Sequence, residues 1–344
     1  MRALIDISHP AHVHFFRYLH RRLVDAGHEV LVVGRDKDVT LRLLEAFDIP
    51  HLTHGKSGHN SMFGQAKELV GRVLFLVREG RRFRPDVILT RNPAGVQAAR
   101  LLGTTGIFDT DDGRSVGVHY YAAAPFARII TAPDAIAESF GKKERRYPSY
   151  KALAFLHPDL YTPTDPRAEL GLEPGERYSV IRLVAHDASH DRGIRGLDRE
   201  AVQRITELAG SIGPVFATVE PGAEAADMVR KLEIAPERLH DVLAHASVVV
   251  GDSQSVIVEA ALLGTPAFRI NTFALRESPF TEMSRKYDIA HSFPPEEIDA
   301  ALGAIADALR PEAKEEWARK REVLLADKVN LTDWYWALIH ELAD

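Results

Sequence analysis

A chain of 344 residues is longer than one ordinary domain and has room for two, each able to bury its own core. Apolar residues at 45% and charged residues at 27% exclude disorder and collagen-like repeats, and the absence of cysteine excludes disulfides, thiolate catalysis and cysteine-ligated metal. Lysine and arginine number 43 against 49 acidic residues, a net charge of −6, which is the wrong sign for a dedicated nucleic-acid binder, so no nucleic-acid partner is expected.

The β-rich alternation of residues 2–8 predicts a strand. Phe16, Leu19 and Leu23 at helical spacing predict a helix over 13–25, closed by Gly27 before a second strand at 29–34. Helices are expected at 38–47, 62–82 and 93–102, the last ending at Gly103, and strands at 87–90, 105–108 and 128–131. Strands alternating with helices predict an open parallel sheet whose ligand edge lies beyond the strand C-termini. The first residues carry no basic segment leading into an apolar core, and nowhere do about 18 apolar residues run together. A cytoplasmic location is therefore expected. Residues 69–77, apolar and followed by Arg78, Arg81, Arg82 and Arg84, are the nearest candidate for peripheral membrane contact, with packing on a sheet the favoured reading.

Periodicity fades over 142–176, where Pro148, Pro158, Pro163, Pro166 and Pro174 interrupt it, and a domain boundary is expected there. Alternation then resumes with strands at 178–183, 215–218, 248–251 and 267–270 and helices at 199–209 and 255–263. The expected domains are 1–158 and 159–329, with a C-terminal helix over 330–344 whose Trp334, Tyr335 and Trp336 dock on a domain surface, packing back on the first.

The most informative stretch runs from Val248 through Gly251, Asp252, Ser253, Gln254 and Ser255 to Glu259 and Ala260: a buried-looking strand, a small polar turn and a helix that Gly264 and Pro266 terminate. A helix start offers unpaired N–H groups and a positive dipole end, so Ser253, Gln254 and Ser255 suit a diphosphate. Glu259 lies four residues beyond Ser255 on the same face, roughly 6 Å along the helix, where a carboxylate suits a ribose diol. The alternative is a helix cap followed by an exposed glutamate.

This pattern, with the following Leu-Gly-Thr-Pro, resembles the nucleotide-binding region of UDP-N-acetylglucosamine 2-epimerases and other GT-B-fold enzymes. Together with the opening Ile5-Asp6-Ile7-Ser8-His9-Pro10-Ala11-His12-Val13-His14-Phe15-Phe16, nearly the whole chain resembles the domain of unknown function 354 family, which is GT-B-like. The resemblance implies an α/β fold of two Rossmann-like domains facing an interdomain cleft. It also implies a nucleotide-sugar donor, UDP-linked, held by the C-terminal half, and a role in polysaccharide or glycoconjugate synthesis. The epimerases have glycines where this turn reads Gln254-Ser255, which implies a less close approach of phosphate.

His9, His12 and His14 fall between the first strand and its helix, where an open α/β sheet places ligand contacts. A neutral imidazole there can serve as general base toward an acceptor hydroxyl, and His12 or His14 is the candidate. The alternatives are a divalent metal on His-x-x-His-x-His and a purely structural helix start. The segment also resembles the Gly-Gly-His loop of the peptidoglycan N-acetylglucosaminyltransferase, with Pro10 and Ala11 in place of its glycines.

Arg182 and His186, after the first strand of the second half, are candidate diphosphate contacts. The acidic turn Asp109-Thr110-Asp111-Asp112-Gly113 suits magnesium or acid–base work but is common without function, and no metal is expected. Residues 55–59, Gly-Lys-Ser-Gly-His, lack the Walker spacing because position 50 is Pro50, and Arg91-Asn92-Pro93 is a candidate acceptor-side contact. The leading expectation is a glycosyltransferase using a nucleotide-sugar donor and a glycan or lipid-linked acceptor, with no tightly bound cofactor. A UDP-sugar 2-epimerase and a non-catalytic nucleotide-sugar-binding component are the alternatives.

Overall fold

Ala3, Leu4, Ile5 and Ile7 are all buried, so β1 (Arg2–Ile7) has core on both faces, as a central strand of a parallel sheet must. The computed structural model describes residues 1–56, 62–185, 195–220, 222–223, 225–272 and 279–342, and divides into two units. Unit 1 comprises residues 1–161 with 328–344, and unit 2 comprises residues 162–327.

In unit 1, β1 is followed by α1 (Pro10–Asp25), β2 (Glu29–Asp36), α2 (Thr40–Ala46), β3 (His51–Lys56), α3 (Met62–Phe83), β4 (Val87–Thr90) and α4 (Pro93–Leu102). Then come β5 (Thr105–Asp109), α5 (Val118–Ala123), β6 (Ile129–Pro133), β7 (Glu144–Tyr147) and α6 (Leu153–Leu156). The seven strands are parallel in the order β3-β2-β1-β4-β5-β6-β7. Successive strands step outward from β1 to β3 and then restart on its other side at β4, so the order reverses between β1 and β4. In an open α/β sheet that reversal opens a crevice at the strand C-termini. Val73, Leu76 and Val77 of α3 pack with Leu4, Val33, Ile88, Ala94 and Ala98, so the apolar stretch at 69–77 covers the sheet, while Val70 and Leu74 on its other face are exposed. Among the described residues no helix is long and apolar enough to cross a membrane.

Unit 2 runs β8 (Ser179–Leu183), α7 (Arg199–Gly210), β9 (Val215–Val219), β10 (Arg230–Lys231), α8 (Leu239–His245), β11 (Val249–Gly251) and α9 (Gln254–Leu262). It continues with β12 (Ala267–Ile270), α10 (Pro279–Arg285), β13 (Ala290–Phe293), α11 (Ile298–Ala308) and α12 (Ala313–Asp327). Its parallel order β10-β9-β8-β11-β12-β13 repeats the plan of unit 1, with the reversal between β8 and β11. The chain therefore has the α/β architecture of two Rossmann-like domains. The last helix, α13 (Leu331–Glu341), returns to unit 1, burying Leu331, Tyr335, Leu338 and Ile339 and setting the Tyr335 ring 5.5 Å from that of Phe15.

The sequence pattern finds the central strands and misses β3, β7, β10 and β13. These four lie at the edges of the two sheets. Edge strands read His-Leu-Thr-His-Gly-Lys, Glu-Arg-Arg-Tyr or just Arg-Lys, because an edge is kept polar and short rather than alternating.

Candidate functional site

In unit 2 the sheet order reverses where β11 leaves its pairing with β8, Gly251 lying opposite Arg182. A Cβ on Gly251 would sit 2.5 Å from the Arg182 carbonyl oxygen, so only glycine lets the two strands run this close. The buried Asp252 then ties the strand exits together: its Oδ1 accepts from Val184 N at 2.9 Å, and its carbonyl accepts from Asn271 Nδ2 at 2.7 Å. α9 begins immediately after this clamp, with Ser253 as N-cap residue in extended conformation and no side chain capping it. Its first-turn N–H groups and dipole thus face the switch-point edge.

Ser253 and Gln254 are half-buried and Ser255 is exposed. Gln254 Oε1 accepts from Arg269 Nη1 at 2.5 Å. Arg269, on β12, is buried, donates from Nε to Ser292 Oγ at 2.8 Å and lies 4.1 Å above the Phe280 ring. Burial lowers its pKa to about 10, which leaves it cationic at neutral pH beneath the turn. Glu259 is buried rather than an exposed helix-former, its Oε2 3.3 Å from Nε2 of His240 on α8. Arg182 stands at the end of β8 as expected but is ion-paired with Glu220. His186 and residues 57–59 of the Gly-Lys-Ser-Gly-His segment lie outside the described residues.

In unit 1 the reversal between β1 and β4 brings together the residues after each strand: His9 and His12 from β1, Lys37 from β2, Arg91 from β4 and Asp111 from β5. His9 is the N-cap of α1, its Nδ1 accepting from Ala11 N at 3.2 Å. The half-buried His12 accepts at Nδ1 from Ser8 N at 3.4 Å, and the two rings are 6.0 Å apart. His14 lies about 200° around α1 from His12. It is buried, between the rings of Phe47 at 5.6 Å and Phe155 at 5.4 Å. The three histidines therefore do not converge on one point, and the described residues contain no group of three candidate metal ligands.

Burial and the charges of Lys37, Lys151, Arg91 and Arg35 pull His9 down to about 3. Burial, followed by Arg91, His9, His119 and Lys151, holds His12 well below its usual value. Both rings are neutral at physiological pH. A backbone N–H can only donate, so each neutral ring has its Nδ1 bare and its proton on Nε2. In that state the ring offers a donor, where the sequence suggests a base.

The acidic turn is more organised than its composition implies. Asp111 is ion-paired with Arg91 and with Lys151 Nζ at 2.7 Å, and the buried Asp109 lies 3.3 Å from Arg91 Nε. Asp109 Oδ1 also accepts from Tyr335 of α13 at 2.7 Å and from Thr131 at 3.1 Å. Burial raises the Asp109 pKa, whereas at Asp111 the pull of Arg91 and Lys151 outweighs burial and holds the carboxyl below its usual range. Arg91 stands in the sequence as a candidate acceptor-side contact and Tyr335 as one of three docking aromatics; Lys151 and Arg269 carry no local signal.

This pair of reversed-order parallel sheets is the fold of GT-B glycosyltransferases and of sugar-nucleotide epimerases. Among solved structures, the UDP-GlcNAc 2-epimerase from Methanocaldococcus jannaschii aligns with TM-score 0.66 at 12% identity over 91% of this chain and 94% of that one. The spinosyn forosaminyltransferase SpnP aligns with TM-score 0.67 at 17% identity over 100% of both chains. The UDP-GlcNAc 2-epimerase from Neisseria meningitidis bound to UDP-GlcNAc aligns with TM-score 0.66 at 11% identity over 100% and 99%. At such identities the likeness is one of fold. No family model and no curated protein matches the chain.

Proposed function

We propose that the chain is a glycosyltransferase-like enzyme that takes a sugar from a nucleotide-sugar, UDP-linked, for polysaccharide or glycoconjugate synthesis, as its resemblance to the domain of unknown function 354 family implies. Unit 2 holds the donor and the histidine edge of unit 1 serves the acceptor side. The observation that carries the proposal is the β11–α9 turn. It joins an uncapped helix start with an exposed Ser255, a cationic Arg269 bonded to Gln254, and a carboxylate one turn further along the helix at Glu259. Backbone N–H groups and the dipole stabilise the charge that develops on a departing diphosphate, and Glu259 accepts from the ribose hydroxyls. Arg182 and the Gln254 amide complete the phosphate side.

UDP at about 100 times its Kd should raise the melting temperature of unit 2 by about 5–10 °C, and Glu259→Ala should diminish that rise. A melting curve unmoved by UDP-, GDP- and dTDP-sugars alike would overturn the proposal. Incubating the same panel with and without glycan or lipid-linked acceptors then assigns the reaction. Acceptor-dependent release of the nucleotide supports transfer; binding without turnover identifies a non-catalytic component.

A 2-epimerase is the second reading, favoured by one observation. Asp109 and Asp111 share an edge and have pKa values pushed in opposite directions, the arrangement expected of a proton donor beside a proton acceptor. Isomerisation of a UDP-sugar without any acceptor would select it.

A further inference from the structure

We propose that His9 and His12 act as hydrogen-bond donors, through Nε2–H, to a phosphate group bound at the β1/β4 edge of unit 1, with Lys37 supplying counter-charge. The inference deepens the transferase reading and rests on it for the origin of the phosphate, but its geometry belongs to unit 1 alone. Three observations carry it. The first is the tautomer: Ala11 N donates to His9 Nδ1 and Ser8 N donates to His12 Nδ1, so each ring turns an N–H rather than a lone pair outward. Neither Nε2 has a hydrogen-bond partner among the described residues.

The second is placement. Both histidines follow β1, and Arg91 follows β4, so they share the crevice where the sheet order reverses. Asn92, also after β4, donates from Nδ2 to Ser8 Oγ at 3.0 Å and fastens the two strand exits to each other. The third is charge. The cations acting on His9 are Lys37, Lys151, Arg91 and Arg35, and the carboxylates around them are already engaged: Asp111 with Arg91 and Lys151, Asp109 with Arg91, and Glu68 with Arg35. Lys37 is left without an acidic counterpart among the described residues. His119, whose Nε2 lies 3.0 Å from the Arg91 carbonyl, adds no negative charge. A surplus cation beside two N–H donors is complementary to a phosphate oxygen, and a ring whose Nε2 already carries its proton cannot take another there from a hydroxyl.

The test uses the full chain with 15N-labelled histidine, the resonances of His9 and His12 being assigned from His9→Gln and His12→Gln. Between pH 6 and 8 both rings should show a bare Nδ1 and a protonated Nε2, and titration with inorganic phosphate should shift both Nε2 signals. A glutamine amide offers an N–H at nearly the same reach but cannot act as a base. His12→Gln should therefore keep phosphate affinity within about threefold, while His12→Ala weakens it about tenfold or more. Repeating the titration with saturating UDP separates the sources. Displacement of phosphate by UDP identifies the diphosphate of the donor, and simultaneous binding identifies a phosphate-bearing acceptor. A proton on Nδ1, a ring that titrates in this range, signals that ignore phosphate, or a glutamine variant as impaired as the alanine variant would overturn the proposal. The phosphate arm stands whether or not UDP binds, so its failure is distinguishable from failure of the transferase reading.

Discussion

Replacing Arg72 with methionine should destabilise unit 1 strongly. Arg72 reaches from α3 to the end of β1, where Nε and Nη2 both donate to Asp6 Oδ1, the former at 2.9 Å. Its remaining donors go to backbone carbonyls, from Nη2 to Ile7 and Val33 at 3.0 Å each and from Nη1 to His54 at 2.7 Å. Asp6 is 0% exposed and Arg72 is 4% exposed, so water screens neither. Without Arg72 the carboxylate keeps, among the described residues, only the Thr90 hydroxyl, at 3.0 Å, as a side-chain donor. Removing one partner of a buried pair costs about 3–5 kcal/mol. For a folding unit of this size each kcal/mol is worth about 2–4 °C, so the melting temperature should fall by about 6–20 °C. Scanning calorimetry of wild type, Arg72→Met, Asp6→Asn and the double variant measures this directly. The double variant should be more stable than the two single losses summed, by about 1–3 kcal/mol, because it leaves no uncompensated charge. A loss below about 1 kcal/mol for Arg72→Met, or strict additivity, would refute the reasoning. Because Arg72 holds the Ile7 carbonyl, next to the histidine loop, the variant should also weaken the phosphate response of His9.

Three further outcomes follow from other places in the molecule. Gly251→Ala should cost unit 2 about 1–3 kcal/mol in urea unfolding, since its Cβ meets the Arg182 backbone and not a yielding side chain. Tyr335→Phe should cost unit 1 about 1–3 kcal/mol and raise the Asp109 pKa further, seen as a smaller loss of stability when the pH is lowered. Burial draws the Lys314 ammonium down to about 7, below its unfolded value, so its stabilising share is complete above about pH 10.4 and lost as the pH falls through 7. The urea midpoint of wild type relative to Lys314→Met should accordingly rise between pH 7 and pH 10.

The doubly-wound plan was legible because central parallel strands are buried on both faces and read as continuous apolar runs, as in Val248-Val249-Val250. Edge strands, α5 and α8 carried no such signal, being short or polar. The β11–α9 turn was also legible, since strand, small polar turn and helix lie within thirteen residues. What no window could reveal is contact at a distance: Arg269 beneath Gln254, His240 beside Glu259, and Tyr335 on Asp109, whose separation along the chain is 226 residues. The histidine triplet illustrates the same limit. Its spacing says that the rings are near one another, but helical phase turns His14 into an aromatic cluster, and the amides of Ser8 and Ala11 decide which nitrogen carries the proton.

The return of α13 to unit 1 fixes an order of assembly. Residues 162–327 form one unbroken stretch, whereas the core of unit 1 waits for a helix made only after all of unit 2 has been synthesised. At ~5–20 residues per second the first 161 residues stand incomplete on the ribosome for roughly ten to forty seconds. During that interval the face of Phe15 and Tyr147 that Trp334 and Tyr335 later cover is open, and Asp109 lacks its phenolic donor. A chain released at residue 327 would keep that face open permanently. Chaperones and proteases would then meet an exposed aromatic surface.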